Sequence, residues 1–272
     1  MIRVEIAKML RSRRTWSTIL LIDALPTLVA VLLSVTDIGP RPGTGPAFLS
    51  AVLTDGTLFP LAALAIVLPL FLPIAVAITA GEALAGEAQQ GTLRYLLIRP
   101  VGRTRLLVAK LVSLMCFVML TVLVVAVTAY VVGSLLLGKQ DVTTSGVTSV
   151  SGSQLSDQEL LLRTGLALAY AMLCMMGVAA IGLFLSTVNE SPLGAALGTL
   201  AVLIASTLLL TLEAAQALQP YLPTRYWLAF VDLFRDPILW RDLERGALLQ
   251  VGYVALFLGA AWANFMTKDV ES

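Results

Sequence analysis

The sequence predicts an all-α membrane protein with six transmembrane helices in a single domain over residues 1–272. Of its residues, 58% are hydrophobic and only 13% are charged, whereas soluble domains are roughly 25% charged. The apolar residues gather into six runs, and each run is long enough to cross about 30 Å of hydrocarbon as a helix. Basic residues flank alternate ends of these runs, a pattern typical of multi-pass membrane proteins.

The first element is a predicted amphipathic helix over residues 1–14 that lies on the inner membrane surface. Its apolar side is formed by residues that share one helical face: Ile2, Ile6, Met9 and Leu10. Arg3, Lys8 and Arg11 fall elsewhere around the helix. Such a helix serves either as a simple anchor or as a lever that contacts a cytoplasmic partner.

The six predicted spans follow in order at about 16–36, 57–80, 108–136, 164–187, 192–212 and 247–267. The fourth is preceded by a helix-start signal, because Ser156 and Glu159 form a capping-box pattern. Glu159 and Arg163 are four residues apart, a spacing that favours an ion pair on one helix face.

Basic residues predict that both termini are cytoplasmic. Five of them precede the first span, and five more lie between spans two and three: Arg94, Arg99, Arg103, Arg105 and Lys110. By the positive-inside rule these two regions face the cytoplasm. Residues 214–245 then lie outside despite their arginines, because long segments follow the rule weakly.

Polar and helix-breaking residues inside the spans mark a candidate substrate path formed by Asp23, Pro69 and Pro73. A charge inside the membrane is costly, so Asp23 is either a substrate or proton site or a structural partner of Arg13 and Arg14. The prolines leave backbone carbonyls unpaired and bend the second span. Such bends suit a moving gate or a cavity wall, but they also occur without either role.

The outer segment, residues 214–245, is rich in aromatic residues and prolines. Aromatic side chains are enriched at the membrane–water boundary, so short re-entrant helices are expected here. Tyr226, Trp227 and Phe230 form a candidate outer gate. An aromatic belt without a gating role explains the same composition.

Several kinds of chemistry are excluded by residue type. The chain has no histidine, which removes His-based catalysis and His metal ligands. Cys116 and Cys174 lie in apolar runs, so no metal site is predicted. A net charge of +1 gives no reason to expect nucleic-acid binding. Residues 133–140 nearly match a phosphate-binding loop, but Gln140 replaces the hydroxyl residue that would bind Mg²⁺. We therefore predict no enzyme activity and no cofactor in this chain.

An ordered motif lies in the predicted cytoplasmic segment, residues 82–105, and continues to the next span. It consists of Glu87, Gly91-Thr92-Leu93, Leu96-Leu97, Pro100-Val101, Arg103 and Lys110. This order resembles the ABC-2 family of ATP-binding-cassette transporter permeases. The basic N-terminal helix, the six spans and the aromatic outer segment agree with that resemblance.

The resemblance implies that this segment forms a coupling helix that docks on a separate ATPase subunit. The implied contacts are Glu82, Glu87, Gln90, Gly91, Thr92, Arg94, Tyr95, Arg99 and Arg103. We expect Glu87 to begin that helix, where its charge suits the helix dipole, and Arg99-Pro100 to end it. A solvated basic loop that only sets the topology is the alternative. The short turn at 188–192 is a second candidate ATPase contact.

The resemblance further implies a permease subunit in a bacterial cytoplasmic membrane, paired with an identical or a related permease. Two ABC ATPase subunits would bind ATP and Mg²⁺, and membrane lipids would surround the permease. Sparse charge inside the spans favours an amphiphilic cargo such as a lipid, a drug or a lipopeptide, and the resemblance implies export. A non-transporting sensor or assembly scaffold, an ion-driven secondary transporter and an intramembrane enzyme are the alternatives.

Overall fold

A computed structural model describes residues 2–36, 56–91, 102–137, 147–148 and 154–267. Within these ranges eight α-helices occur: α1 Ile2–Arg11, α2 Arg13–Thr36, α3 Phe59–Val67, α4 Phe71–Gln89, α5 Arg103–Leu136, α6 Asp157–Val188, α7 Pro192–Thr211 and α8 Trp240–Thr267. The strands β1 (Val147–Thr148) and β2 (Gln154–Leu155) form one short antiparallel pair. Six of the helices are long and apolar enough to cross a membrane, namely α2 and α4 to α8. The predicted helical membrane fold is confirmed at this level.

The second predicted span is not one continuous helix. A 3₁₀ helix at Gly56–Leu58 leads into α3, and the chain then turns at residues 68–70 before α4 begins. Pro69 lies in this turn, where its missing N–H cannot support a helical hydrogen bond. Pro73 lies in the first turn of α4, where that N–H has no partner to lose. The predicted bend is therefore a full break, and α4 alone supplies the 19-residue span.

Gly133 is the first residue of the near match to a phosphate-binding loop, and close contact between two helices explains why it is a glycine. Gly133 lies inside α5, and a Cβ atom there would collide with the Gly56 carbonyl and the Phe59 side chain. The glycine thus lets the start of α3 pack against α5. Residues 138–140 lie outside the described residues.

Two helices begin earlier than the apolar runs suggest. The helix α6 starts at Asp157 behind the predicted capping box, in which Ser156 and Glu159 bond reciprocally. The helix α8 starts at Trp240, inside the predicted outer segment, residues 214–245. Polar first turns extend both helices beyond their apolar runs, so hydropathy alone sets their starts too late.

The bundle is built around α6, which packs against α4, α5, α7 and α8. Its centre holds fully buried side chains from several helices, among them Phe59, Leu64, Phe117 and Met175. Outward faces remain apolar, as at Leu21, Leu135 and Leu248, each about three-quarters exposed. Such faces are expected where hydrocarbon rather than water surrounds the protein. We call the end of the bundle that carries α1 the inner end, after the predicted orientation.

Candidate functional site

Four charged residues form a cluster at the inner end, where α1, α4 and α5 meet. The Lys110 ammonium donates to Glu5 Oε2 at 2.9 Å and also pairs with the Glu87 carboxylate. Lys8 Nζ lies 3.6 Å from the same Glu87 carboxylate. We call Glu5, Lys8, Glu87 and Lys110 the inner charge cluster; its two acids and two bases balance.

The centre of this cluster is buried. The side chains of Lys110 and Glu87 are 6% and 8% exposed, and that of Glu5 is 14% exposed. Lys8 is 68% exposed, so it contributes little free energy to the cluster. Buried charges must be paired, and removal of one partner typically costs about 3–5 kcal/mol. Lys110 therefore holds α1 and α4 together on α5.

Glu87 does not begin a helix, contrary to the sequence-based expectation. It lies in the last turn of α4, where the helix dipole disfavours an acid. Lys110 offsets this effect by pairing with the carboxylate, which lies in the interior of the bundle rather than at its surface. The helix ends just after, at Gln89, and Gly91 follows with a φ of 67°, a left-handed conformation that favours glycine. Gly91 and the neighbouring Gln90 are exposed at this end.

Arg103 fixes the start of α5 on the opposite side of the predicted coupling segment. Its guanidinium donates to the carbonyls of Phe265 and Met266 at 3.2 and 3.0 Å. These carbonyls belong to the last turn of α8, where a cation suits both the unpaired carbonyls and the helix dipole. Thr104 reinforces the contact by accepting a bond from Trp262 Nε1 at 3.1 Å.

The segment between these two ends, residues 92–101, lies outside the described residues. It contains the predicted contacts Thr92, Arg94, Tyr95 and Arg99. The structure describes the helices on either side of it, namely the last turn of α4 and the first turns of α5. The Glu87–Lys110 pair connects these two helices directly.

A buried serine that the sequence analysis did not single out joins α4 to α6. Ser186 Oγ donates to the Gly81 carbonyl at 2.8 Å and accepts from the amides of Leu84 and Ala85 at 3.0 and 2.9 Å. One hydroxyl thus serves three backbone groups of α4. A lone serine in an apolar run carries no sequence signal for this role, because serine hydroxyls usually bond within their own helix.

A close approach of α4 to α7 lies at the same level. A Cβ atom on Gly81 would be 2.8 Å from the Pro192 carbonyl and 2.9 Å from the Ala196 amide nitrogen. Only glycine fits this contact without displacing backbone. The inner end of α4 is therefore held by α5, α6 and α7 together.

Asp23 does not pair with Arg13 or Arg14, which corrects one sequence-based alternative. Its carboxylate accepts a hydrogen bond from the Thr128 hydroxyl of α5. Arg14 instead donates to Glu82 Oε1 at 2.8 Å. Asp23 lies nearly three turns after Arg13 along α2. The two arginines are therefore too far along the helix to reach its carboxylate.

The candidate outer gate is anchored to the bundle. Trp227 and Phe230 are 4% and 0% exposed and belong to the main apolar core. The Tyr226 carbonyl accepts a bond from the Tyr170 hydroxyl at 2.7 Å. Short 3₁₀ helices occupy this outer segment, at Glu213–Ala215, Gln219–Tyr221 and Ala229–Phe234.

Two buried polar side chains add to this anchoring. Arg163 of α6 donates to the carbonyls of Leu233 and Arg235 at 3.0 and 3.1 Å. Its guanidinium thus binds the outer segment, whereas the sequence spacing favoured an ion pair with Glu159. Gln250 of α8 donates to the Pro223 carbonyl at 2.7 Å. Three backbone carbonyls of the outer segment are thereby satisfied by α6 and α8, whereas the buried Trp227 Nε1 has no hydrogen-bond partner among the described residues.

The family model described as an ABC-2 family transporter protein matches residues 1–206. This range contains the inner charge cluster, α1 to α6 and most of α7. No curated protein matches the chain.

Proposed function

The chain belongs to the ABC-2 transporter family, and we propose that it is a permease subunit driven by a separate ABC ATPase that docks on residues 92–101. It is a multi-pass membrane protein with six helices able to span the membrane. The observation that carries the proposal is the inner charge cluster, which connects both sides of that segment to α1.

Movement of a docked segment does mechanical work only if its two ends are attached to the spans. On the α4 side, the Glu87–Lys110 pair and the Ser186 hydroxyl supply this attachment. On the α5 side, Arg103 fastens the helix start to the end of α8. A displacement of residues 92–101 would therefore reach α1, α4, α5, α6 and α8 as one unit.

The predicted contact residues then divide into two roles. We assign direct contact with the ATPase to Gln90, Gly91, Thr92, Arg94, Tyr95 and Arg99. Glu87 and Arg103 act as positioning residues, because their side chains bind groups of this chain. Glu82 is paired with Arg14 at the rim of the inner end. Arginines suit an acidic groove on a partner, because the guanidinium makes charge-assisted hydrogen bonds.

The proposed transport step would use the same contacts at the inner end. Two permeases, identical or related, would enclose the cargo, and two ATPase subunits would bind ATP and Mg²⁺ on the cytoplasmic side. Both termini would be cytoplasmic in a bacterial inner membrane. The broad apolar faces of α2 and α7 suit an amphiphilic cargo and the second permease. Export is the direction we propose, with the break at Pro69, the nearby Pro73 and the polar side chain of Asp23 along the path.

Co-purification with the ATPase encoded beside this chain tests the docking step. We expect the double variant Arg94→Ala and Tyr95→Ala to lose the ATPase, because both contacts lie in the docked segment. The matched control is Arg241→Ala with Tyr253→Phe, an arginine and a tyrosine in α8 outside the inner end. Full retention of the ATPase by the double variant would contradict the assignment of the docking segment.

A further inference from the structure

A groove of about 760 Å³ opens at the inner end between α1, α2, α4, α5 and α7, and the inner charge cluster is part of its lining. Its volume lies within the range of small-molecule sites, roughly 300–1,000 Å³. Its lining includes Glu82, Glu87 and Gln90, so the groove lies beside the proposed docking segment, residues 92–101. Its two ends differ in polarity, which determines what it can bind.

The polar end carries a pair of opposite charges at its rim. Arg14 Nη1 lies 2.8 Å from Glu82 Oε1, and the two side chains are 83% and 46% exposed. An exposed ion pair of this kind is worth about 0–1 kcal/mol, so a ligand can separate it at little cost. A ligand that carries both charges can then satisfy each partner separately.

The other side of the groove is apolar. Ile78, one turn deeper in α4 than Glu82, and Leu193, at the start of α7, line it with 46% and 67% of their surfaces exposed. Ala83 and Ala196 complete this wall. A charged rim above an apolar wall has the polarity of a lipid at the membrane boundary.

We propose that this groove binds a membrane phospholipid with a zwitterionic headgroup that bears a primary ammonium, as in phosphatidylethanolamine. Arg14 would bind the phosphate, since guanidinium groups form charge-assisted bonds to phosphate oxygens. Glu82 would accept hydrogen bonds from the ammonium. The acyl chains would lie against Ile78 and Leu193.

Charge complementarity favours this headgroup over two others. The charged lining balances, with three acids (Glu5, Glu82 and Glu87) and three bases (Lys8, Arg14 and Lys110), so a headgroup without net charge fits better than an anionic one. A choline headgroup carries a positive charge but no N–H donor for the Glu82 carboxylate. The proposal does not rest on an ATPase partner, because it requires only that the chain lie in a membrane.

Native mass spectrometry of the purified chain tests the proposal without any ATPase. The probes are dioleoyl phosphatidylethanolamine, phosphatidylcholine and phosphatidylglycerol in equal amounts, so that only the headgroup differs. We expect the first to be retained over the other two by about tenfold, the lower end of what one hydrogen bond to a charged group contributes. Glu82→Gln should remove the preference over phosphatidylcholine, and Arg14→Gln should lower retention of all three.

The matched controls are Glu244→Gln and Arg241→Gln, an exposed acid and an exposed base at the opposite end of the bundle. These should bind lipid as the unchanged chain does. Equal retention of the three lipids, or a Glu82→Gln variant that behaves like Glu244→Gln, would overturn the proposal. So would a change in the monomer–dimer ratio of Arg14→Gln with unchanged lipid retention, because the groove would then be filled by a second copy.

Discussion

Lys110 Nζ and Glu5 Oε2 lie 2.9 Å apart although 105 residues separate them along the chain. This contact joins the N-terminal helix to the start of the third span. Because Lys110 also binds Glu87, one buried ammonium determines the relative positions of α1, α4 and α5. The predictions below follow from this arrangement and from the contacts that support it.

Lys110→Met should destabilise the protein by about 3–5 kcal/mol, because it leaves Glu5 and Glu87 buried without their cation. Replacing Glu5, Glu87 and Lys110 together by Met should recover most of that loss, since apolar side chains need no partner. Denaturant unfolding in detergent measures both free energies. A Lys110→Met variant within about 0.5 kcal/mol of the unchanged chain would show that the cluster is not buried as described.

Ser186→Ala should lower the free energy of unfolding by about 1–3 kcal/mol, because three backbone groups of α4 lose their buried partner. The control is Ser134→Ala, whose hydroxyl bonds only within its own helix, to the Val131 carbonyl. Thermal melts of the two variants in the same detergent give the comparison. Equal effects would show that Ser186 does not fasten α4 to α6.

Gly81→Ala should destabilise the protein by about 1–3 kcal/mol, because the added methyl group meets the backbone of α7. The control is Gly252→Ala in α8, where a Cβ atom meets nothing within 4 Å. That variant should gain about 0.5–1 kcal/mol, the usual benefit of Ala over Gly in a helix. Opposite signs in the two unfolding measurements are the expected result; a stabilised Gly81→Ala variant would rule out the close contact.

Arg163→Met should loosen the outer segment, because the carbonyls of Leu233 and Arg235 lose their buried donor. Amide hydrogen exchange of residues 213–239 should speed up while exchange at the inner end of α4 stays unchanged. Arg241→Met, at an exposed position nearby, is the control and should leave both regions unaltered. Uniform protection in both variants would mean that Arg163 does not hold the outer segment.

Much of the helical architecture follows from the sequence, because each span needs about 20 apolar residues and leaves a strong hydropathy signal. The capping box at Ser156 was also predictable, since both of its bonds are local. The prolines predicted only a bend in the second span, whereas the helix is broken at Pro69. Proline content alone does not say whether neighbouring helices satisfy the freed carbonyls.

The candidate site was predictable only in part. The motif at Glu87 and Lys110 marked the correct region, but their pairing depends on how α4 and α5 lie against each other. Glu5 was missed because a single acid in a basic amphipathic helix has the pattern of an ordinary surface residue. One of the two alternatives for Asp23 paired it with nearby arginines by distance along the chain, whereas its partner, Thr128, comes from another span.

ATP hydrolysis by the reconstituted complex provides the sharpest test of how the permease is driven. The variant to compare with the unchanged chain is the triple replacement of Glu5, Glu87 and Lys110 by Met, which keeps residues 92–101 intact. We expect this permease still to bind its ATPase, while the hydrolysis rate falls to that of the ATPase alone. Binding together with an unchanged hydrolysis rate would contradict a coupling role for the inner charge cluster.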